Sequence, residues 1–369
     1  MLQQRIPATV ITGFLGAGKT TLIRNLLMKA DGERLALIIN EFGDVGVDAS
    51  LAKECGAASC DADSIIELAN GCICCTVADD FMPSMEALLN QSPPPDRIII
   101  ETSGLALPQP LVQAFQWPSI RTRAMLDGVV TVVDGPALAM GQVANDMGAL
   151  EAQRQLDPEL DHDTPINELF HDQLSAANIL VMAKTDLMTD ADKIKVREKL
   201  GRLMANDTPV IETNAGNAPM RAIFGLGLED EAFARSAHSL HDHHHHDDDH
   251  DHDHDDHHHD HDHGHDAFKT VIMTLPPLGN SVDIVNAIRD LAGPGGMLRA
   301  KGFLAVQGKV APLVIQAVGS RVDHYYAQAD MTGDSQDSDM AAGLGRLVVI
   351  GYADMDVSGL AERIGGHIT

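Results

Sequence analysis

The sequence predicts an α/β domain with a mostly parallel sheet, followed by a smaller α+β domain. Three observations lead to this prediction. Short, nearly continuous runs of Val and Ile alternate with helical patterns through the larger, N-terminal part of the chain. A glycine-rich turn joins the first run to the first helical pattern. A tract of His and Asp then separates this part from a shorter one, in which strands and helices alternate less regularly.

The N-terminal part contains five candidate strands that are apolar along nearly their whole length. Strands of this kind are typical of parallel sheets covered by helices on both faces. The helical patterns between them favour parallel crossover connections. The candidate strands are Ala8–Thr12, Leu35–Asn40, Arg97–Glu101, Val129–Asp134 and Asn178–Ala183.

The C-terminal part mixes strand and helix patterns and predicts an α+β domain. Its candidate strands are Phe268–Thr274, Leu298–Gln307, Pro312–Val318 and Arg346–Tyr352, and its candidate helices are Val282–Leu291 and Val357–Ile364.

The tract from His238 to Asp266 consists almost entirely of His and Asp. Such a segment has too little apolar surface to offset the entropy of ordering, so we expect a disordered linker. The expected division is therefore a first domain at 1–232, a linker at 233–266 and a C-terminal domain at 267–369. Neutral imidazoles bind transition metals, so the linker is also expected to hold several such ions with modest selectivity. A solvated spacer without metal is the alternative.

Charge and hydropathy restrict the classes of partner. The formal net charge of −28 argues against nucleic acid and anionic membranes, because both would repel the chain. No apolar run reaches the ~18 residues that span a bilayer. The first residues, MLQQRIPATVITGF, lack the features of a secretory signal. The expected location is the cytoplasm, where thiols stay reduced and clustered cysteines indicate metal binding or catalysis.

Residues 13-GFLGAGKTT-21 match the phosphate-loop pattern G-x-x-x-x-G-K-[ST] between a strand and a helix. Glycines allow backbone N–H groups to surround a phosphate. Lys19 is expected to reach the β- and γ-phosphates, and the Thr20 hydroxyl to hold Mg²⁺. The predicted nucleotide-binding residues of this loop are Gly13, Gly16, Ala17, Gly18, Lys19, Thr20 and Thr21.

A second phosphate-side element is predicted where the strand Arg97–Glu101 ends. A carboxylate there, from Glu101, is suited to positioning Mg²⁺ or water beside a γ-phosphate. Gly104 is able to offer its N–H to that phosphate. Lys19, Glu101 and Gly104 are therefore the candidate catalytic residues, with a plain polar turn as the alternative for the last two.

The stretch 183-AKTD-186 follows an apolar strand and favours GTP over ATP. Lys184 is expected to lie along a purine face, and Asp186 to accept the N1–H and N2–H₂ of guanine, which adenine does not offer. Asn214, after a further strand-like run, is expected to close over the base.

Three of the five cysteines fall within four positions, at Cys72, Cys74 and Cys75. Two or three thiolates suit Zn²⁺ or Co²⁺, whereas Mg²⁺ and Ca²⁺ prefer oxygen ligands. Three thiolates leave a tetrahedral shell open, as a metal carrier requires. Buried structural cysteines and a redox pair are the alternatives.

The segment 40-NEFGDVGVD-48 lies between the phosphate loop and the thiols and follows a candidate buried strand. Loops in this position often respond to the bound nucleotide. Glu41 is a candidate metal ligand that would link the metal and nucleotide sites. Asp48 is equally well explained as part of a polar loop.

Five ordered motifs together resemble the CobW-type GTPases, a branch of the P-loop NTPases known for metal handling and metalloenzyme assembly. The resemblance covers nearly the whole chain outside the His/Asp tract, and the C-terminal stretches MLRAKGFL and RLVVIG look like the family's smaller domain. The motifs are GFLGAGKTT, NEFGDVGVD, the C-x-C-C of GCICCT, IIIETSGLALP and KTDL.

The resemblance implies a metallochaperone whose metal site forms with Mg·GTP and weakens on hydrolysis. Slow intrinsic turnover is expected because no arginine in these motifs is an evident internal finger. It implies Co²⁺ as cargo, supplied to a cobaltochelatase for cobalamin biosynthesis. The chain departs from the family at Ala183, where an Asn that tethers the base loop to the phosphate loop is usual. We expect weaker nucleotide binding without a change of base. The rival functions are a zinc carrier of the same family, a His-rich metal store without nucleotide gating, and a P-loop kinase or ATPase.

Overall fold

The computed structural model describes residues 5–30, 33–39, 65–67, 81–156, 165–204, 208–224, 268–292, 296–326 and 344–368. Seven strands form the sheet of the N-terminal part: β1 (Ile6–Thr12), β2 (Leu35–Ile39), β3 (Ile65–Glu67), β4 (Arg97–Glu101), β5 (Ala124–Asp134), β6 (Ile179–Ala183) and β7 (Val210–Glu212). The helices around it are α1 (Lys19–Met28), α2 (Met82–Leu89), α3 (Gln109–Ala114), α4 (Pro118–Arg121), α5 (Gly135–Ala139), α6 (Met147–Leu156), α7 (Ile166–Ala176), α8 (Asp190–Leu203) and α9 (Met220–Ile223).

The strands of this sheet lie in the order β3-β2-β4-β1-β5-β6-β7, and every neighbouring pair is parallel. The two faces of β1 pack into different cores. Ile11 belongs to a cluster with Leu26 of α1, while Val10 belongs to one with Phe81 beside α2. Burial on both faces explains the unbroken apolar runs, and the predicted parallel α/β sheet is confirmed.

The strand register aligns the carboxyl-terminal ends of four strands at one edge of this sheet. Ile11 lies opposite Glu101, Glu101 lies opposite Ile39, and Ile39 lies opposite Glu67. Because these strands are parallel, β1, β4, β2 and β3 all end at the same, carboxyl-terminal edge. Ligands of open α/β sheets bind at this edge.

Within its described residues, the C-terminal part forms a six-stranded antiparallel sheet with two helices packed on one face. Apolar residues of the helices, among them Ile284, Ile288 and Leu360, join the core of that face. This architecture confirms the predicted α+β class. Its elements are β8 (Phe268–Leu275), α10 (Ser281–Leu291), β9 (Met297–Leu304), β10 (Leu313–Val318), β11 (Arg321–Tyr326), β12 (Gly345–Tyr352), α11 (Val357–Ile364) and β13 (His367–Ile368). The strands lie in the order β11-β10-β9-β12-β8-β13.

The structure differs from the predicted elements mainly at strand ends. Strand β5 begins at Ala124, five positions before the predicted start at Val129, and its residues from Ala124 to Thr131 pair with β1 around an irregularity in register. Strand β9 ends at Leu304 rather than Gln307, because the chain turns where Lys309 N donates to Val306 O at 3.0 Å. The short strands β3, β11 and β13 were not predicted.

A buried arginine joins the two parts. Arg299 on β9 is 2% exposed, and its Nη1 lies 3.2 Å from Oδ2 of Asp127 on β5. Its Nε donates to Ala222 O at 2.8 Å, and Arg97 Nη1 lies 3.4 Å from the same Asp127 oxygen. The C-terminal sheet is therefore fixed to the amino-terminal ends of β4 and β5, away from the edge where the site lies. The predicted boundaries at 232 and 266 fall within 225–267, outside the described residues.

Among the residues that the structure describes, no helix combines the length and the apolarity needed to cross a bilayer.

Candidate functional site

The loop between β1 and α1 forms a tight cradle that depends on glycine. Gly13, Gly16 and Gly18 have φ angles of 141°, 71° and 109°, in the left-handed region that other residues avoid. A Cβ at Gly13 would lie 2.2 Å from Val132 O, so only glycine fits there. Gly18 precedes α1 directly. The first N–H groups of this helix therefore lie beside the loop, an arrangement suited to binding a phosphate.

Lys19 extends across this cradle. Its Nζ donates to Gly13 O at 2.8 Å and to Phe14 O at 3.4 Å, and the residue is 9% exposed. Ala17 is buried and its N–H donates to Phe14 O at 3.1 Å, whereas Gly16 and Thr21 are exposed. The predicted phosphate lysine is thus inside the loop, with its ammonium group held by carbonyl oxygens of the loop itself.

Thr20 and Glu101 meet at the centre of the site. Thr20 Oγ1 donates to Glu101 Oε1 at 3.3 Å, and Glu101 is 3% exposed. One residue belongs to α1 and the other ends β4, so the contact joins the phosphate loop to the neighbouring strand. A hydroxyl and a carboxylate are oxygen donors of the kind that Mg²⁺ prefers, so these two residues fit the predicted magnesium ion.

Gly104 packs directly on the phosphate loop. A Cβ at this position would lie 2.7 Å from Leu15 N and 3.3 Å from Leu15 Cα. These atoms belong to the backbone and have little freedom to move. Glu101 and Gly104, which were predicted to act beside the γ-phosphate, are therefore next to the loop that would hold that phosphate.

The predicted base-recognition residues lie on the other side of the loop. Lys184 has a left-handed backbone (φ 61°), and its Nζ donates to Gly16 O at 2.7 Å and to Asp134 Oδ2 at 2.6 Å. Asp134 is 1% exposed and ends β5, and its Oδ1 accepts a bond from Ala137 N at 3.0 Å. Asp186, two positions further, is exposed at the surface of the site.

The turn around Asn214 is held against α1. Asn217 N donates to Asn214 O at 2.8 Å, and Asn25 Nδ2 donates to both Ala215 O (2.8 Å) and Thr21 O (2.9 Å). Gly216 approaches closely, because a Cβ there would lie 2.8 Å from Thr21 O. Helix α1 thus contacts both the phosphate side and the base side of the site.

The predicted metal residues Glu41, Cys72, Cys74 and Cys75 lie outside the described residues, as does the His/Asp tract. Within the described ranges, no three His, Cys, Asp or Glu side chains are grouped so that they would hold a metal ion. The described strands nevertheless show where these segments start. Glu41 comes two positions after the end of β2, and Cys72 comes five positions after the end of β3.

Three residues near the predicted site were missed in the sequence. Asp134 had a usable signal, because it is a carboxylate that ends a buried strand, as Glu101 does. Asn25 and Gln173 had none, since each lies within a helix. Gln173 is fully buried, and its Nε2 donates to Gly104 O at 3.2 Å and to Ala106 O at 2.9 Å.

A glycine-dependent phosphate loop that joins a parallel strand to a helix, with a lysine inside it, defines a P-loop nucleotide-binding protein. Two family models match this chain: the CobW/HypB/UreG nucleotide-binding domain over residues 7–212, and the cobalamin synthesis protein cobW C-terminal domain over residues 280–366. The chain belongs to the CobW/HypB/UreG family.

Similar proteins include two named "Zinc chaperone CobW". The one from Sinorhizobium sp is 47% identical over 98% of this chain and 97% of its own length. The one from Pseudomonas aeruginosa is 39% identical over 98% of this chain and 91% of its own length. Among solved structures, the Zn(II)-bound YjiA GTPase from E. coli is 20% identical and covers 98% of this chain and 99% of that chain, with a TM-score of 0.38.

Proposed function

We propose that this protein is a GTP-dependent metallochaperone that binds a divalent transition metal when loaded with Mg·GTP and releases it on hydrolysis. The contact between Thr20 and Glu101 is the observation that supports this proposal best. It joins the phosphate loop to the sheet edge at which β2 and β3 end, the strands that precede Glu41 and the cysteines in the chain.

The nucleotide half of the proposal assigns a task to each described residue. The loop from Gly13 to Thr21 binds the phosphates, and Lys19 exchanges its carbonyl partners for β- and γ-phosphate oxygens. Thr20 and Glu101 supply oxygen ligands to Mg²⁺, which would neutralise charge on the phosphates. Gly104 offers its N–H to the γ-phosphate. The reaction is the hydrolysis of GTP to GDP and phosphate, and slow turnover is expected because no arginine in these motifs is placed as an internal finger.

The base side of the proposal follows from Lys184 and Asp186. Lys184 is fixed between Asp134 and Gly16, so its aliphatic stem is positioned to cover a purine face. The exposed carboxylate of Asp186 accepts hydrogen bonds from the N1–H and N2–H₂ of guanine. Adenine has neither of these donors. Asn214 closes the turn on the opposite side of the base. These residues support GTP rather than ATP.

The metal half assigns the cargo to the thiolates of Cys72, Cys74 and Cys75, with Glu41 as a further ligand. A γ-phosphate would order the loop after β2 and bring Glu41 toward the thiolates, and hydrolysis would relax it. Coupling of this kind is reciprocal, so a metal ion that binds more tightly with GTP must tighten GTP binding by the same factor.

Zinc is the better supported cargo, because two relatives that match nearly the full chain carry the name zinc chaperone. Cobalt delivery for cobalamin biosynthesis, with a cobaltochelatase as recipient, is the second candidate. The family model for the C-terminal domain, named after cobalamin synthesis, favours it. Thiolate ligands alone do not separate the two ions, since Zn²⁺ and Co²⁺ share the same donors.

A competitive metal titration tests the proposal. The full chain is titrated with Zn²⁺ and with Co²⁺ at buffered free-metal concentrations, without nucleotide, with Mg·GDP and with Mg and a non-hydrolysable GTP analogue. We expect a single tight site with the analogue that is weaker by at least tenfold with GDP. Equal metal affinity in all three conditions would contradict nucleotide gating and favour a metal store. Displacement of Zn²⁺ by Co²⁺ at cytosolic free-metal levels would favour the cobalt carrier.

A further inference from the structure

Helix α7 contacts both loops of the phosphate side at once. The ring of Phe170 stacks on the ring of Phe14 in the phosphate loop, with centroids 5.6 Å apart and planes inclined by 24°. One turn further along α7, the Gln173 amide reaches the loop that contains Gly104. One buried cluster contains Phe14, Phe170 and Leu105, which follows Gly104 in the chain. This helix is therefore packed against the elements that would hold and sense a γ-phosphate.

Gln173 fixes the Gly104 loop at two points. Its Nε2 donates to Gly104 O at 3.2 Å and to Ala106 O at 2.9 Å. These carbonyls belong to Gly104 and Ala106, the residues on either side of Leu105, so the two bonds restrict the whole turn rather than one atom. The amide is oriented with nitrogen toward the turn because both partners are acceptors, which only a donor can satisfy.

The backbone of Gln173 is itself hydrogen-bonded to the parallel sheet. Thr131 Oγ1 on β5 donates to Gln173 O at 3.1 Å, so the backbone that carries the amide is bound to a central strand. Gln173 has no exposed surface, and within the described residues its Oε1 has no hydrogen-bond partner. A buried amide acceptor without a partner is destabilising, so a favourable interaction elsewhere must offset its cost. The two bonds to the Gly104 loop provide one.

We propose that Gln173 is the positioning residue of the phosphate-sensing loop: it holds Gly104 against the phosphate loop in the geometry in which its N–H meets the γ-phosphate. This proposal rests on the GTPase function proposed above. The hydrogen bonds of Gln173 matter for phosphate sensing because Gly104 packs closely on Leu15. A small shift of the turn would move Gly104 away from the loop that holds the phosphate. Gln173 acts through Gly104 and does not touch the nucleotide, so it should affect GTP and not GDP.

The first test is Gln173→Met, which keeps the length of the side chain and removes its donor. We expect the single-turnover rate constant for GTP hydrolysis to fall at least tenfold, and the affinity for a non-hydrolysable GTP analogue to fall several-fold, while GDP affinity stays within about twofold. The matched control is His171→Ala on the same helix, whose side chain is 54% exposed. It should leave all three quantities unchanged.

The second test is Gln173→Glu, which keeps the shape and titrates. An ionised carboxylate only accepts, so it repels both carbonyls, whereas a protonated one donates a single bond. The ratio of hydrolysis by this variant to that of the wild type should therefore rise as pH falls. A merely structural residue would lose GDP affinity in parallel with hydrolysis as pH rises, whereas a positioning residue leaves GDP affinity unchanged across the same range.

The outcomes separate the two proposals. A Gln173→Met variant that hydrolyses GTP like the wild type, or that loses GTP and GDP affinity in parallel, overturns the positioning role. If the wild type hydrolyses no GTP, the proposed GTPase function fails, and the affinity ratio between GTP analogue and GDP still decides the role of Gln173. If the Met variant does not fold, the hydrolysis ratio of the Glu variant and its GDP affinity across the same pH range decide it: a ratio that rises at constant GDP affinity supports the role, and a parallel change overturns it.

Discussion

Lys184 Nζ lies 2.6 Å from Asp134 Oδ2 and 2.7 Å from Gly16 O, so one ammonium group joins the end of β5, the base-recognition turn and the phosphate loop. The family pattern places an Asn where this chain has Ala183, and that Asn is expected to make the tether between the two loops. Here the lysine makes a tether of its own, supported by a buried carboxylate that is 1% exposed. We therefore expect this contact to take over part of the tethering role of the missing Asn.

Replacing that carboxylate should weaken nucleotide binding without changing the base that is preferred. In Asp134→Asn the Oδ1 acceptor for Ala137 N remains, but the charge that holds Lys184 is lost. Loss of a charge-assisted hydrogen bond of this kind costs about 1.5–3 kcal/mol, so we expect GTP and GDP affinities to fall on the order of tenfold or more. Calorimetric titration with both nucleotides measures this. Affinities equal to those of the wild type would show that Lys184 needs no partner.

Restoring the family residue should strengthen binding only slightly. In Ala183→Asn, an added amide near Gly18 would bridge the two loops, because the Ala183 Cβ lies 3.5 Å from the position of a Cβ at Gly18. Since Lys184 already ties these loops, we expect GTP and GDP to bind less than tenfold more tightly, and ATP to remain the weaker ligand. Competition between GTP and ATP measures both effects. An ATP affinity above that of GTP, in either chain, would refute guanine recognition by Asp186.

The parallel sheet and its site edge could be predicted because burial on both faces leaves a direct mark on the sequence. Strand β4 was predicted with its observed ends, since RIIIE has three consecutive isoleucines between a charged residue at each end, the second being the carboxylate of the site. Strand β11 was missed because four of its six residues are exposed, including Tyr325 and Tyr326, and its pattern does not alternate. An edge strand of this kind is held by backbone pairing to β10, which the side chains do not indicate.

The site could be predicted only where a residue type has few other uses. A glycine-rich loop ending in Lys-Thr is suited to binding a phosphate, and a carboxylate at the end of a buried strand is suited to positioning Mg²⁺ or water. Each pattern therefore indicates its role directly. Gln173 and Asn25 act through contacts between segments 69 and 190 positions apart in the chain. No local pattern encodes such a contact, because the same residues occur in helices for many other reasons.

The ion pair between the two parts of the chain should be essential for stability. In Asp127→Asn the guanidinium groups of Arg97 and Arg299 lose their shared carboxylate, although both are almost fully buried. Breaking a buried pair in this way costs about 3–5 kcal/mol, so we expect a clear fall in melting temperature. Asp323→Asn is the matched control, because Asp323 is 56% exposed and pairs with Arg321 at the surface. It should change the free energy of unfolding by less than about 1 kcal/mol. Equal effects of the two variants would contradict this assignment.

Lys301 should make stability depend on pH in the alkaline range. Burial lowers its pKa from 10.5 to about 8, an effect opposed by Asp127 and assisted by Arg97 and Arg299. Between these values the unfolded chain holds a proton that the folded chain has released, so the free energy of unfolding should rise as pH increases from 8 to 10. The expected rise attributable to this lysine is roughly 2 kcal/mol. Comparing denaturant unfolding of the wild type and Lys301→Met across this range isolates it, and parallel pH profiles would refute it.

Cys74→Ala should separate metal binding from nucleotide binding. Removing one thiolate is expected to abolish the tight metal site, while GTP affinity in the absence of metal stays unchanged. Because coupling between two ligands is reciprocal, the variant should also lose the increase in GTP affinity that metal produces in the wild type. Cys60→Ala, at a cysteine without a cluster, is the control and should retain both properties.

Deletion of Ser239–Asp266 should reduce the number of weakly bound ions and preserve the tight site. If the deletion removed the tight site and Cys74→Ala preserved it, the metal-binding function would belong to the His/Asp tract, and nucleotide gating by the thiolates would be excluded.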